Sequence, residues 1–119
     1  MHKNIFAALL IISALLLTPI NSFSITGLEL LETCTDINTN DLSFSHGLCI
    51  GYLNAATYSY IDNQDNLNPD MGKICLPKEV NGSQIFNITK KHIENTPKKQ
   101  HLAAHKLIVE SLVKTFPCK

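Results

Sequence analysis

The sequence predicts an all-α fold: a small bundle of about four helices held together by disulfide bonds. Apolar residues recur at the three- and four-residue spacing of a helix, and no stretch alternates as a strand would for more than a few residues. The chain of 119 residues also carries four cysteines, all downstream of an apolar leader. An even number of cysteines in a small exported chain is typical of disulfide bonds formed in an oxidising compartment.

The leader, residues 1–24, has the features of a signal peptide. A short basic start at Lys3 precedes an apolar stretch, residues 5–17, which a single serine interrupts. That stretch is too short for a bilayer core of about 30 Å, which needs about 20 residues. Small residues at Ser22 and Ser24 suit a signal peptidase. The sequence therefore predicts cleavage after Ser24 and one exported domain, residues 25–119; cleavage after Ser22 and an uncleaved anchor are the alternatives.

The first predicted helix begins at a capping box. Thr26 can cap the helix, Glu29 can reach back to it, and Ile25 can pack against Leu30 as a hydrophobic staple. The helix is short and ends near Cys34, before a polar loop.

The second predicted helix starts at Asp41 or Ser43 and runs to about Ile61. An apolar stripe at helical spacing is expected to face the core: Phe44, Leu48, Tyr52 and Ala56, with Leu53 and Tyr60 beside them. A second stripe consists of small residues four apart, which we expect to let another helix approach closely: Gly47, Gly51, Ala55 and Ser59.

The segment that follows, from Asp62 to Lys73, is rich in Asn, Asp, Pro and Gly and predicts an exposed loop. A second capping box, with Asn81 as the cap and Gln84 closing it, starts the third helix, which Pro97 ends.

The fourth predicted helix runs from about Lys99 to Phe116, where Pro117 stops it. Its apolar positions recur at helical spacing and trace one face: Ala104, Leu107, Ile108, Ser111, Leu112 and Thr115.

Four cysteines allow three disulfide connectivities, and antiparallel helix geometry favours one of them. Cys34 closes the first helix and Cys49 lies early in the second, across a short loop. Cys75 precedes the third helix, and the fourth helix returns Cys118 to the same end. We therefore expect the pairs Cys34–Cys49 and Cys75–Cys118. A zinc site is the alternative, but no two of the cysteines have the C-x-x-C spacing.

The charges argue against several classes of function. Residues 25–72 contain acidic residues and no lysine, whereas residues 73–119 hold nine lysines and three glutamates. The charges of the two halves nearly cancel, which excludes general nucleic-acid binding.

The sequence also lacks the patterns of several enzyme classes. His101 and His105 would share a helix face, but Leu102 stands where a metalloprotease needs glutamate. The sequence contains no nucleophile elbow and no phosphate-binding loop, so we expect no enzyme activity, no cofactor and no bound metal.

Motifs around the cysteines resemble a known family. They are Gly27-x-x-Leu30-Leu31-x-x-Cys34, Cys49-x-Gly51-Tyr52, Cys75-Leu76-Pro77, Gln84, and Leu107 through Phe116-Pro117-Cys118. Together they span nearly the whole mature chain and are similar to the Rap/Tai family, the periplasmic immunity proteins of bacterial type VI secretion. The chain departs from the family pattern at Ala55 and Tyr58, where the family has a glycine and an acidic residue.

The resemblance implies an all-helical, disulfide-bonded periplasmic protein, commonly a homodimer, that blocks a peptidoglycan amidase effector. Such an inhibitor needs a rigid protruding element, since preorganisation limits the ordering cost of binding. The candidate partner-binding residues are Asp62, Asp65 and Asp70, whose carboxylates are expected to pair with basic residues at the rim of the effector's groove. A periplasmic chaperone or general protein-interaction module, exposing apolar surface in acid, is the alternative function.

Overall fold

The structure is a computed structural model, which describes residues 24–34 and 44–119. The described residues form four α-helices in the order α1 (Gly27–Thr33), α2 (Phe44–Asn63), α3 (Gly82–Asn95) and α4 (Ala104–Thr115). Three short 3-10 turns, Gln64–Asn66, Pro69–Met71 and Pro97–Lys99, lie between them. Within the described ranges the only β-structure consists of two isolated bridges. The all-α prediction is confirmed, whereas the predicted leader lies outside the described residues except for its last one.

Helix α4 lies at the centre of the bundle and packs against the other three helices. Leu107, Ile108 and Leu112 are fully buried on its core face. The polar core contact between Thr89 and Ser111 joins α3 to α4, with their hydroxyl oxygens 3.2 Å apart. The Ser111 hydroxyl also donates to the Ile108 carbonyl oxygen at 2.7 Å. Burial of both hydroxyls is therefore compensated by hydrogen bonds, as the cost of burying an unpaired polar group requires.

Both predicted capping boxes are present. In α1, the Glu29 carboxylate accepts hydrogen bonds from the backbone N–H of Thr26 at 2.6 Å and from its hydroxyl at 2.9 Å. In α3, Asn81 Oδ1 accepts from the N–H of Gln84 at 3.0 Å, and the N–H of Asn81 donates to Gln84 Oε1 at 2.9 Å. These bonds satisfy N–H groups that the first turn of a helix leaves without a partner.

The cap of α1 gives the folded state an acid-sensitive contribution to stability. The backbone N–H and then the hydroxyl of Thr26 lower the pKa of Glu29 below its ordinary value, because both donate to the carboxylate. A carboxyl group whose pKa is lower in the folded than in the unfolded protein stabilises the folded state at any pH above its unfolded-state pKa. That stabilisation is lost as the pH falls through its folded-state pKa. We expect Glu29→Gln to lower Tm at pH 7 and to approach the wild-type Tm near pH 3, measured by circular dichroism.

A suitable control for this prediction is Glu79→Gln, which removes an exposed carboxylate that caps no helix. A Tm difference between wild type and Glu29→Gln that stayed constant from pH 7 to pH 3 would contradict the assignment of this acid sensitivity to the cap.

The buried side of α2 differs from the predicted one. Phe44 is 86% exposed and Leu48 is 51% exposed, so the predicted apolar stripe does not face the core at this end. The buried positions of α2 are Cys49, Leu53, Thr57 and Tyr60. The Cys34–Cys49 bond explains this rotation, because it fixes Cys49 toward α1, and the residues four and eight positions later then point the same way.

The small-residue stripe of α2 does not contact another helix within the described chain. A Cβ atom added at Gly47 or Gly51 would meet nothing within 4 Å, and both glycines are exposed. No helix among the described residues packs closely on them, because the neighbouring helices contact the opposite, cysteine-bearing side.

Helix α4 begins at Ala104, five residues after the predicted start. The intervening backbone makes tertiary hydrogen bonds instead of helical ones. The N–H of Gly27 donates to the Leu102 carbonyl oxygen at 3.0 Å, and the N–H of Ala104 donates to the Ile25 carbonyl oxygen at 2.8 Å. Ala103 is accordingly extended, with φ −56° and ψ 130°. The backbone at the start of α1 therefore forms hydrogen bonds with residues that the helical spacing of the sequence had assigned to α4.

Both predicted disulfide bonds are present, Cys34–Cys49 and Cys75–Cys118, with Cα–Cα distances of 5.4 and 4.9 Å. Among the described residues no helix is both long and apolar enough to cross a membrane.

Candidate binding surface

The acidic loop, defined here as residues 64–73, connects α2 to the segment that carries Cys75. Helix α2 ends at Asn63 rather than near Ile61, so Asp62 lies on its last turn and not in the loop. The loop itself consists of the two 3-10 turns Gln64–Asn66 and Pro69–Met71. It is therefore a folded element of short turns.

Two side chains, Tyr60 of α2 and Gln64 at the start of the acidic loop, hold the C-terminal end of the loop. The side chain of Gln64 makes two hydrogen bonds with the backbone of Ile74: Nε2 donates to the carbonyl oxygen at 3.1 Å, and Oε1 accepts from the N–H at 2.8 Å. The Tyr60 hydroxyl donates to the Gly72 carbonyl oxygen at 2.6 Å. Inside the loop, Asn68 Oδ1 accepts from the N–H of Asp70 at 3.1 Å. These contacts fix the loop before any partner binds.

Gly72 sets the angle at which the acidic loop returns to the bundle. Its φ of +78° lies in the left-handed region, which costs other residues steric energy. A Cβ atom at this position would also lie 2.6 Å from Val113 Cγ1 of α4. The loop can pack this closely on α4 only because residue 72 has no side chain.

The Cys75–Cys118 bond ties the base of the acidic loop to the C-terminal end of the chain. Two backbone hydrogen bonds run alongside it. The N–H of Cys75 donates to the Phe116 carbonyl oxygen at 2.9 Å, and the N–H of Cys118 donates to the Lys73 carbonyl oxygen at 3.1 Å. The disulfide bond therefore anchors the base of the loop covalently to Cys118, three residues after α4 ends at Thr115.

The three predicted binding carboxylates are all exposed, but their settings differ. Asp65 forms an ion pair with Lys73, with 2.6 Å between Oδ1 and Nζ. Asp62 and Asp70 have no ion-pair partner among the described residues. The loop also exposes two apolar side chains that the sequence analysis did not single out, Leu67 at 38% and Met71 at 49%. The surface of the loop is therefore a mixture of carboxylate and apolar groups.

His101 and His105 are not arranged as the sequence predicted. His101 lies in the turn before α4 and His105 lies within α4, with the extended Ala103 between them, so they do not share the helix face that the sequence predicted. The described part of the chain contains no cluster of three or more metal-binding side chains. His92 is largely buried between α3 and α4, with Nε2 at 3.5 Å from Glu110 Oε1, and Lys99 pairs with the same carboxylate.

Sequence reasoning missed the residues that position the loop, namely Tyr60, Gln64 and Gly72. The Asn68-Pro69-Asp70-Met71-Gly72 run carried a usable signal, since glycine directly after a Pro-containing turn indicates a positive φ. No comparable signal marks Gln64, because its role depends on the position of Ile74.

Comparison with known proteins decides the family. A sequence profile of the Rap1a immunity proteins matches residues 26–118, from the capping threonine of α1 to the last cysteine. The chain belongs to the Rap1a immunity protein family. The sequence-based resemblance to the Rap/Tai family is thereby confirmed. No curated protein and no solved structure matches the chain.

Membership of the Rap1a immunity family means that the relevant surface is one that binds an effector protein. In this Rap1a protein the acidic loop combines accessible side chains with a backbone that hydrogen bonds and a disulfide bond hold in place.

Proposed function

We propose that this protein is an exported immunity protein that binds and occludes a peptidoglycan amidase effector of type VI secretion. The observation that carries the proposal is the acidic loop, which exposes its side chains while its backbone is fixed by Gln64, Tyr60 and a disulfide bond. A fixed loop loses little conformational entropy on binding, so more of its contact energy appears as affinity. Membership of the immunity family supports the same role.

The chemistry of the loop suggests how occlusion works. Asp62 and Asp70 supply carboxylates for the basic rim of the effector's groove, and Leu67 and Met71 supply apolar contacts within it. Asp65 contributes less charge, because Lys73 already pairs with it. Burial of the two apolar side chains in the groove then excludes substrate sterically, and no chemical step is required of the immunity protein.

The place of action that we propose is the periplasm. The leader at residues 1–24 supports export, and the family match starts at residue 26, directly after the expected cleavage site. Two disulfide bonds among four cysteines support an oxidising compartment. Once the leader is removed, we expect no association with the membrane.

We further propose that the protein forms a homodimer through the exposed start of α2. Phe44 and Leu48 are the most exposed large apolar residues of the described chain. The adjacent Gly47 and Gly51 leave room for another backbone. We expect Phe44→Ser with Leu48→Ser to convert a dimer to a monomer in sedimentation equilibrium, without a large loss of Tm. A wild-type protein that is monomeric at about 100 μM would contradict the proposal.

We expect the gene beside this one to encode the amidase, and the effector proposal is tested with the product of that gene. We expect Asp70→Lys to weaken binding about tenfold or more, because it reverses an unpaired charge at the proposed interface, and replacement of residues 65–71 by a Gly/Ser linker of equal length to weaken it further. Isothermal titration calorimetry and amidase inhibition are the measurements. The control is Glu79→Lys, which makes the same charge reversal at an exposed site outside the loop.

Two results would overturn parts of this proposal separately. Unchanged amidase binding after loop replacement would show that the immunity protein uses another surface. No binding of the wild-type protein to the neighbouring amidase would remove the amidase as the partner.

A further inference from the structure

A groove lies on α4 beside the acidic loop. It has a volume of about 500 Å³, and we name it the α4 groove. The residues that line it are Met71, Lys106, Val109, Glu110, Val113 and Lys114. Five of these lie on α4 at positions one, three or four apart, so they form one continuous side of the helix. Helix α4 therefore presents apolar residues both to the core and to this groove.

The α4 groove continues toward α2. A second cleft of about 300 Å³ shares Val109 with the first and is also lined by Ala55, Ala56 and Leu67. The acidic loop thus contributes one apolar side chain to each cleft, Met71 to the first and Leu67 to the second. An apolar surface that is concave and continuous across three elements is typical of a binding site rather than of ordinary solvent-exposed surface.

The charges on the α4 side of the groove are unbalanced. Glu110 is the only carboxylate that lines either cleft, and Lys99 pairs with it from outside the groove. Lys106 and Lys114 are exposed, and neither pairs with a carboxylate within the described ranges. The rim along α4 therefore carries two lysines that form no ion pair with a carboxylate of the described chain, and the glutamate between them is already paired with Lys99.

We propose that the α4 groove binds an acidic segment of a protein partner whose apolar side chains fill the two clefts. Val109 and Val113 form the apolar floor, and Lys106 and Lys114 pair with carboxylates that flank the partner's apolar anchors. Apolar anchors in a concave site supply most of the binding energy, whereas the charges at the rim set orientation and partner choice. This proposal goes beyond the immunity function, since it does not require the partner to be an amidase or the acidic loop to enter an active site.

The test uses the full mature protein with both disulfide bonds formed. A phage-displayed library of random 12-residue peptides is selected on the wild-type protein, and enriched peptides are then synthesised and measured by fluorescence polarisation. We expect a consensus with two or three large apolar residues flanked by Asp or Glu. We expect binding to fall about tenfold between 50 and 300 mM NaCl, because exposed charge pairs are screened by salt.

A charge-reversed variant and a matched control locate the binding site. Lys106→Glu with Lys114→Glu should weaken binding of the selected peptide at least tenfold. Lys78→Glu with Lys98→Glu makes the same change in net charge at exposed lysines elsewhere and should leave binding unchanged. Circular dichroism and intact mass establish that both variants are folded and oxidised. Val113→Ser, at a half-buried position of the groove floor, should weaken binding without altering charge.

Every other outcome overturns the proposal. Failure to enrich any peptide, a basic or uncharged consensus, or equal loss of binding in the two charge variants would each exclude an acidic partner in this groove. A change in the oligomeric state of Lys106→Glu with Lys114→Glu, measured by sedimentation equilibrium, would assign the groove to a second copy of the chain. Unchanged amidase binding after loop replacement, or no amidase binding by the wild-type protein, would overturn the effector proposal but would not change the peptide measurements, so the two proposals fail independently.

Discussion

Cys118→Ser is expected to lower the free energy of unfolding by about 4 kcal/mol, a large part of the stability of so small a domain. The Cys75–Cys118 bond joins residues 43 apart in sequence, whereas Cys34–Cys49 joins residues 15 apart. On the chain-entropy model, loss of the shorter bond costs about 3 kcal/mol because it closes a smaller loop in the unfolded chain. Urea unfolding followed by circular dichroism measures both values.

The same substitution is expected to weaken effector binding more than Cys34→Ser does. Cys75 lies two residues after the acidic loop, and its bond to Cys118 holds the loop base against the end of α4. The Cys34–Cys49 bond instead joins α1 to the start of α2, at a distance along the chain from the loop. Calorimetric titration of the two variants with the amidase measures the difference.

The double variant Cys75→Ser with Cys118→Ser is the control for both measurements, because it leaves no free thiol at the loop base. Equal weakening of binding by Cys118→Ser and Cys34→Ser would show that the disulfide bonds act through global stability alone and that the loop base has no separate role.

Gly72→Ala is expected to lower the free energy of unfolding by about 2 kcal/mol, combining backbone strain with a steric clash. The strain arises at φ +78°, and the clash arises because the new Cβ would lie 2.6 Å from Val113 Cγ1. Since relief of the clash requires the acidic loop to move away from α4, binding to the effector should also weaken. Urea unfolding and calorimetric titration are the measurements.

Two further variants separate the effect of backbone strain from the effect of the steric clash in Gly72→Ala. Adding Val113→Ala removes the clashing methyl groups and should recover part of the lost stability, while the strain at positive φ remains. Gly47→Ala makes the same chemical change at an exposed helical position with nothing within 4 Å, and it should raise stability by up to about 1 kcal/mol. A Gly72→Ala protein as stable as wild type would show that the loop accommodates a side chain without moving.

Local signals in the sequence were sufficient for the helix starts of α1 and α3. Each capping box involves residues three positions apart, so the pattern in the sequence is also the contact in the structure. The disulfide pairs could be predicted as well, because antiparallel helices bring only certain cysteines to the same end. Family membership followed from cysteine motifs that span most of residues 25–119.

The errors arose where a distant segment competed with the local pattern. Helical spacing extended α4 back to Lys99, yet the start of α1 takes the backbone groups of Leu102 and Ala104 for its own hydrogen bonds. In α2, periodicity favoured the side that carries Phe44 and Leu48, whereas the bond between Cys34 and Cys49 turns the side with Leu53 and Thr57 to the core. The start of α4 and the buried side of α2 are therefore not determined by the residues of those helices alone.

The sequence by itself determined the helical class of this protein, its caps, its disulfide pairs and its family, because each depends on residue types at fixed spacing. The tertiary structure alone decided how the acidic loop is held and where the groove lies. Gln64 bonds to the backbone of Ile74, and Val113 limits residue 72 to glycine, only because α2 and α4 both contact the loop. Such contacts depend on the packing of helices that are remote in sequence, and no local pattern specifies that packing.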